Sequence, residues 1–480
     1  MRALERMYDS KGHLAPWVSN TSGPRVPTDN HQARSVLIIA LVVAGTAGRQ
    51  VWAGCALEPC SALSSYLSGQ QEHDAPRDAQ GFWKRGDTWL QKKDWDRAIA
   101  DYSEAIRLEP QNTLYYWARS NAWFEKGDHD QAIRDINEAI RLKPRDADLL
   151  QSRAYYWNAK QDFDKALAGF SEVIQLDPKY VKAYAMRGEL WLKQKDFDRA
   201  IKDLDVAIQG DPTDSIAHES RAKAWEGKQE IDKAIADYTE AIRLQPRITV
   251  FYFSRSRLWS QKKQYQAEVD DLSAAIKLQP KYWFLYSDRA SAYEKMRLYD
   301  QAVADYTQAI RLKPGDGMLY SSRGFALLNA LERDRAIDDF SMAIQLAPDK
   351  PLYYSERGLL YWTKKQFDRA LKDLSEAARR GPDDSDYHRQ LALLLTTCPD
   401  SRVRDGKRTL AEATRACTLT NWKNGSCLEA PAAAAAETGD FQKAVKRQSQ
   451  ALALLTFGSQ EYLTCQRRLS LYEIKVPYRD

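Results

Sequence analysis

Residues 95–110 read WDRAIADYSEAIRLEP, residues 129–144 HDQAIRDINEAIRLKP and residues 231–246 IDKAIADYTEAIRLQP. Each stretch ends on a proline. Outward from them the chain carries nine prolines 34 residues apart: Pro110, Pro144, Pro178, Pro212, Pro246, Pro280, Pro314, Pro348 and Pro382. No insertion or deletion breaks the count. A fixed period of this size marks a stacked repeat array rather than one globular core. Each unit touches only its neighbours, so the product is a long surface, and long surfaces usually bind things.

Counted from 31 residues before each proline, the first unit runs 79–112 and the ninth 351–384. Place 8 is always small, from Gly86 and Ser120 to Gly358, and place 11 is large, from Trp89 and Trp123 to Tyr361. Place 20 is alanine in eight units, with Glu268 the exception, and place 27 is alanine except for Val173. Places 4, 7, 8 and 11 share one face of a helix, and places 20, 24 and 27 share one face of a second. Small residues at 8, 20 and 27 let two antiparallel helices approach. Large ones at 11 and 24 fill the gaps, which makes the place-11 tryptophans core. Aspartates at place 18, Asp96 and Asp130 among them, stand where they would cap the second helix. The proline ends that helix, since it lacks an N–H and disfavours helix in the residue before it.

Place 7 is arginine in all nine units: Arg85, Arg119, Arg153, Arg187, Arg221, Arg255, Arg289, Arg323 and Arg357. Place 23 is aspartate in eight: Asp101, Asp135, Asp203, Asp237, Asp271, Asp305, Asp339 and Asp373. In antiparallel helices the two places meet, so an Arg–Asp ladder with one rung per unit is expected. Each arginine comes with its own acid, which makes the ladder scaffold rather than an anion-binding site. The third unit has Gly169 at place 23, so Arg153 must find another partner or reach water.

The small residue at 8, the aromatic at 11, Ala at 20 and 27 and Pro at 32 resemble the tetratricopeptide repeat, nine times over across residues 79–384. The ladder residues depart from that family, which has leucine at 7 and usually an aromatic at 23. The resemblance implies an all-α fold: an α-solenoid, a right-handed superhelix of about eleven helix-turn-helix repeats plus a capping helix. It further implies a scaffold that binds other proteins or peptides in a concave groove lined by first helices. In the family, places 2, 5, 9 and 12 face that groove. Here those places include Trp83, Trp117, Asn121, Phe124 and Tyr155, which are read as one partner-binding patch; the bland alternative is that the rings only pack against neighbouring first helices. Units four and five put charged residues there instead, among them Glu189, Glu219, Lys223 and Glu226. The chaperone-tail clamp of some family members needs a Lys/Asn set of which Asn121 alone is present.

The formal net charge is +5 over 480 residues with 29% charged, both signs interleaved. A nucleic-acid surface would show a basic stripe, so no nucleic-acid partner is expected. Six histidines are scattered, and there is no Gly-rich phosphate loop and no nucleophile elbow. No catalytic residue, cofactor or metal site is therefore expected, and an enzyme would have to hide its groups in residues 385–480.

The ends of the chain differ from the array. Residues 1–34 are polar with Pro, Gly, Asn and Ser, and read as a disordered leader. Residues 35–53 hold the apolar run Val36 to Ala44, shorter than the ~20 residues of a comfortable membrane span. That run fits a signal-peptide core with cleavage near Ala53, or an anchor through residues 36–47. Ala53-Gly54-Cys55 also resembles the end of a lipobox. Residues 54–78 read as a linker. Export to the periplasm or membrane anchoring is the expected location, with a cytoplasmic scaffold from a mis-called start, or a glycan- or nucleic-acid-binding solenoid, as alternatives.

Six cysteines lie outside the regular units, and Cys417 and Cys427 are the best candidates to pair in an oxidising compartment. Residues 385–458 read as two divergent units, the tenth with Leu391 in place of the arginine. Pro431 falls inside a first helix and is expected to kink or shorten it. Residues 459–480 read as a capping helix, Gln460 to Glu473, and an irregular tail.

Overall fold

A computed structural model describes residues 76–422 and 425–479. The leader, the apolar segment, Cys55 and most of the linker lie outside the described residues. Among those described there are 23 helices and no strand. The first unit is the pair Ala79–Gln91 and Trp95–Leu108, and the ninth is Pro351–Thr363 and Phe367–Arg380. Each helix packs on its hairpin partner and on the next unit, which makes a solenoid. No helix among the described residues is long and apolar enough to cross a membrane.

The hairpins close because small faces large. Ala98, Ala132, Ala166, Ala200 and Ala234 of place 20 are fully buried. A Cβ added to Gly86 would stand 2.6 Å from the Tyr102 ring, so this first helix lies against its partner at glycine distance. Second helices stop two residues before the proline; in the first unit the Glu109 N–H still bonds the Ala105 carbonyl before Pro110 ends the ladder.

Two expectations about individual places are corrected. The cap of the second helix is at place 16, not 18. Asp94, Asp128, Asp162 and Asp196 precede their helices and accept from the backbone N–H of Arg97, Gln131, Lys165 and Arg199. Place 18 is already inside the helix. In five units its aspartate instead receives a lysine from the next unit, as Asp96 does from Lys126 at 2.6 Å. The place-11 tryptophans are only half-buried, because their outer faces point past the hairpin. Cations cover those faces: Arg97 stands 4.7 Å from the Trp89 ring centre, Lys165 4.2 Å from Trp157 and Arg199 4.4 Å from Trp191.

The tenth unit pairs Ser385–Thr397 with Gly406–Leu419, the eleventh pairs Gly425–Glu437 with Phe441–Leu454, and Gln460–Glu473 follows. That last helix buries Cys465 against Ala416, Cys417, Cys427, Leu428 and Ala451, closing the apolar end of the stack. Gly425–Glu437 keeps the full 13 residues despite Pro431 inside it, so the proline does not shorten the helix. Pro431 has no N–H to give the Cys427 carbonyl four residues back. The Cys417 thiol donates to that carbonyl instead, at 3.1 Å, so the two cysteines meet as thiol and carbonyl rather than as a disulfide.

Candidate partner-binding surface

The first helices line the candidate surface, and the ladder fixes them to the second helices. In the fourth unit Arg187 Nε and Nη2 donate to Asp203 at 2.7 and 2.8 Å, and in the eighth Arg323 donates to Asp339 at 2.8 and 2.7 Å. Arg85, Arg119, Arg221, Arg255, Arg289 and Arg357 make the same two-pronged pair with Asp101, Asp135, Asp237, Asp271, Asp305 and Asp373. The aspartates are nearly buried, and the hydrogen bonds that Arg187 donates to Asp203 hold its guanidinium above its ordinary value. Arg153, facing Gly169, turns to Glu172 at 2.6 Å, nearer water.

Seven of the nine arginines also tie two units together, which sequence reading missed. The third guanidinium nitrogen reaches back to place 25 of the preceding unit: Arg119 to Ser103 at 3.0 Å, Arg187 to Ser171 at 2.9 Å, Arg221 to Asp205 at 2.7 Å and Arg323 to Thr307 at 3.0 Å. The signal was present, since Ser, Thr or Asp fills place 25 wherever this bond forms. At the junction of units two and three, where Arg153 pairs with Glu172 and does not reach back to place 25, other bonds appear. Trp117 Nε1 donates to Ser152 at 3.1 Å, and the Tyr156 hydroxyl donates to Asn121 Oδ1 at 2.7 Å and lies 3.0 Å from the Ser120 hydroxyl.

That junction holds most of the aromatic patch read from the sequence. Phe124 stacks on Tyr156 with ring centres 4.9 Å apart and contacts Tyr155 at 5.2 Å. Trp117 and Phe124 are half-buried, and Asn121 is bonded to Tyr156. Tyr155 is 43% exposed and Leu114 39% exposed, so these two offer free apolar area. Trp83 stands apart from them, half-buried against the core of the first hairpin.

The middle units differ in chemistry. Where place 24 is tyrosine, its hydroxyl crosses to an acid on the first helix: Tyr102 to Asp87 at 2.5 Å, Tyr238 to Glu226 at 2.6 Å and Tyr306 to Glu294 at 2.8 Å. Burial pushes the Glu189, Glu226 and Glu294 carboxyls up, and bonds from Tyr238 and Tyr306 pull the last two partly back. Lys223 pairs with Glu219 at 2.7 Å. Among the described residues no group of His, Cys, Asp or Glu is placed to hold a metal ion.

Sequence models of the tetratricopeptide repeat match residues 62–113, 84–147, 158–224, 285–316 and 355–397. The chain is a tetratricopeptide repeat protein. Such arrays are protein-interaction scaffolds, and the departures at places 7 and 23 are structural in this one. Solved structures similar to it include yeast Tom70, 17% identical, with 83% of this chain and 96% of that one covered at a TM-score of 0.36. A tetratricopeptide repeat protein from Parabacteroides merdae is 20% identical, with 52% of this chain and 98% of that one covered at 0.37. MamA from Desulfovibrio magneticus RS-1 is 20% identical, with 35% and 95% covered at 0.34. No curated protein matches the chain.

Proposed function

We propose that the protein is a non-catalytic scaffold of the cell envelope that binds other proteins or peptides on the concave surface lined by its first helices. The observation that carries this reading is the free apolar area of Tyr155 beside the fixed ring of Phe124, with Leu114 exposed at the other end of the same first helix. Exposed aromatic and aliphatic groups held by a rigid frame are the chemistry of binding hot spots. Trp117 and Asn121 hold the shape of the patch through their bonds to Ser152 and Tyr156, and Trp83 would add a separate contact on the first unit. The envelope location is supported by the apolar run of residues 36–44 after the polar leader.

Cross-linked capture by the full chain, run beside a Tyr155→Ser/Leu114→Ser variant, tests the reading. Both side chains are exposed, so the variant keeps the fold. Partners captured by the parent and lost by the variant support it; equal capture moves the site elsewhere on the array, and capture of nothing removes it. Membrane fractionation of the same cells tests the location.

A further inference from the structure

The turn inside each unit closes at place 15, which is left-handed in all nine units. Glycine adopts that backbone freely, and Asn and Asp tolerate it best among the rest. The chain places no Asn or Asp there and glycine only at Gly127. Five of the nine are cations, Lys93, Lys195, Lys263, Arg297 and Lys365, and one is Leu331. Turn chemistry therefore does not explain the residues at these tips. All six are exposed, Leu331 by 74%. The five cations form no ion pair among the described residues. Lysines one place earlier do: Lys262 and Lys364 bond Asp232 and Asp334 of the preceding units. Those bonds seat one turn on the next. Asp300 of unit seven lines a shared groove with Glu332 and Arg335 of unit eight. The tips thus run along one edge of the stack as a rim. Its charge is uneven. Across places 13–19, units six to nine hold nine bases and four acids, whereas units one to five hold eleven of each. The basic excess of units six to nine equals the net charge of the whole chain, +5. Leu331 stands inside this basic stretch, between Arg297 and Lys365 of the adjoining turns, with the exposed and unpaired Arg333 two residues on.

We propose that the rim of units six to nine docks on an anionic phospholipid surface, with Lys263, Arg297, Arg333 and Lys365 against the headgroups and Leu331 in the interfacial layer. A bilayer is the occupant that takes both chemistries. Its negative surface potential draws basic side chains, and a protruding leucine leaves water at the boundary of the acyl chains. A nucleic acid or an acidic peptide would use the cations and leave Leu331 in water. Turn tips protrude, which suits a broad surface, whereas a peptide is gripped by a concave one. Leu331 also holds a strained backbone that no packing offsets, and such strain collects where a residue serves a partner. The inference goes beyond the protein-binding reading: it uses another edge of the array and stands or falls independently of the patch at Tyr155.

The test is co-sedimentation of the full chain with vesicles of equal parts phosphatidylglycerol and phosphatidylcholine, beside vesicles of phosphatidylcholine alone. The parent binds the anionic vesicles more tightly, and high salt removes the difference. Lys263→Gln/Arg297→Gln/Lys365→Gln weakens binding to the anionic vesicles by about a hundredfold, roughly fivefold for each cation. Leu331→Gly weakens it about tenfold while its melting temperature rises. A leucine with only a structural role would leave binding unmoved. Lys93→Gln/Lys195→Gln, at the same place in units one and four, leaves binding unchanged. The apolar run of residues 36–44 is common to every variant and cancels in these comparisons. Should the triple variant fail to fold, Leu331→Gly carries the test. Binding equal to the parent's in the triple variant or in Leu331→Gly overturns the membrane rim, as does an equal loss in the Lys93/Lys195 control. Soluble polyglutamate that binds the parent and Leu331→Gly alike, and displaces the vesicles from both, also overturns it and makes the rim a site for an acidic protein.

Discussion

At the scale of single residues the ladder is the feature with the largest consequence. Asp203 is nearly buried and takes both prongs of Arg187. Asp203→Ala strands that guanidinium, and ~3–5 kcal/mol of stability is lost, read from the shift of the urea midpoint. Arg153 and Glu172 form a rung nearer solvent, so Arg153→Met lowers stability by less than about 1 kcal/mol in the same measurement. Equal losses would mean that burial does not set the strength of a rung. His388 gives a pH dependence. Its Nδ1 bonds Glu412 at 2.6 Å, and that bond outweighs burial and the nearby Arg415 to raise the imidazole above its ordinary value. A raised folded value means the stabilisation is fully present below about 6.5, the unfolded value, and is lost as pH rises through the folded value. His388→Gln should therefore flatten the fall in melting temperature between pH 6.5 and 8.5; an unchanged slope would refute the role.

At the scale of the helix pair, the turn decides more than the helices do. Place 15 is left-handed in all nine units, yet only Gly127 is a glycine there. Leu331 holds φ at 65° with its side chain 74% exposed, so it has strain and no packing to offset it. Leu331→Gly is expected to stabilise by about 0.5–1 kcal/mol, seen as a higher melting temperature. The reverse holds at Gly86, where a methyl would press on the Tyr102 ring: Gly86→Ala is expected to destabilise by ~1–3 kcal/mol. The positions of the helices were legible in the small–large–alanine spacing. The capping residue was not, because an Asp two places into a helix and an Asp just before it look alike until the hydrogen bonds are known. Pro431 does not shorten its helix, and the reason is similar. A missing N–H matters only if its acceptor goes unmet, and Cys417 meets it.

At the scale of the molecule, stability is a sum over like neighbours. Every junction repeats the same packing at the same 34-residue step, so removing residues 317–350 rejoins two compatible faces. The shortened protein is expected to fold, with far-ultraviolet circular dichroism scaled to its length and a lower melting temperature; a collapsed, unstructured product would mean the junctions are not interchangeable. The junction of units two and three departs in its polar bonds, where Trp117–Ser152 and Tyr156–Asn121 stand in for the arginine's reach to the preceding unit.

The sequence by itself determined the period, the helix pairs and the pairing of Arg with Asp, because each follows from spacing along one chain. Side chains 16 places apart meet in any antiparallel hairpin of this length, as Arg187 and Asp203 do. What lay between units was decided only by the tertiary structure. The reach of Arg119 back to Ser103 and the half-exposure of the tryptophans both depend on how one hairpin is set on the next. That angle comes from many packed contacts at once, and no local spacing in the chain records it.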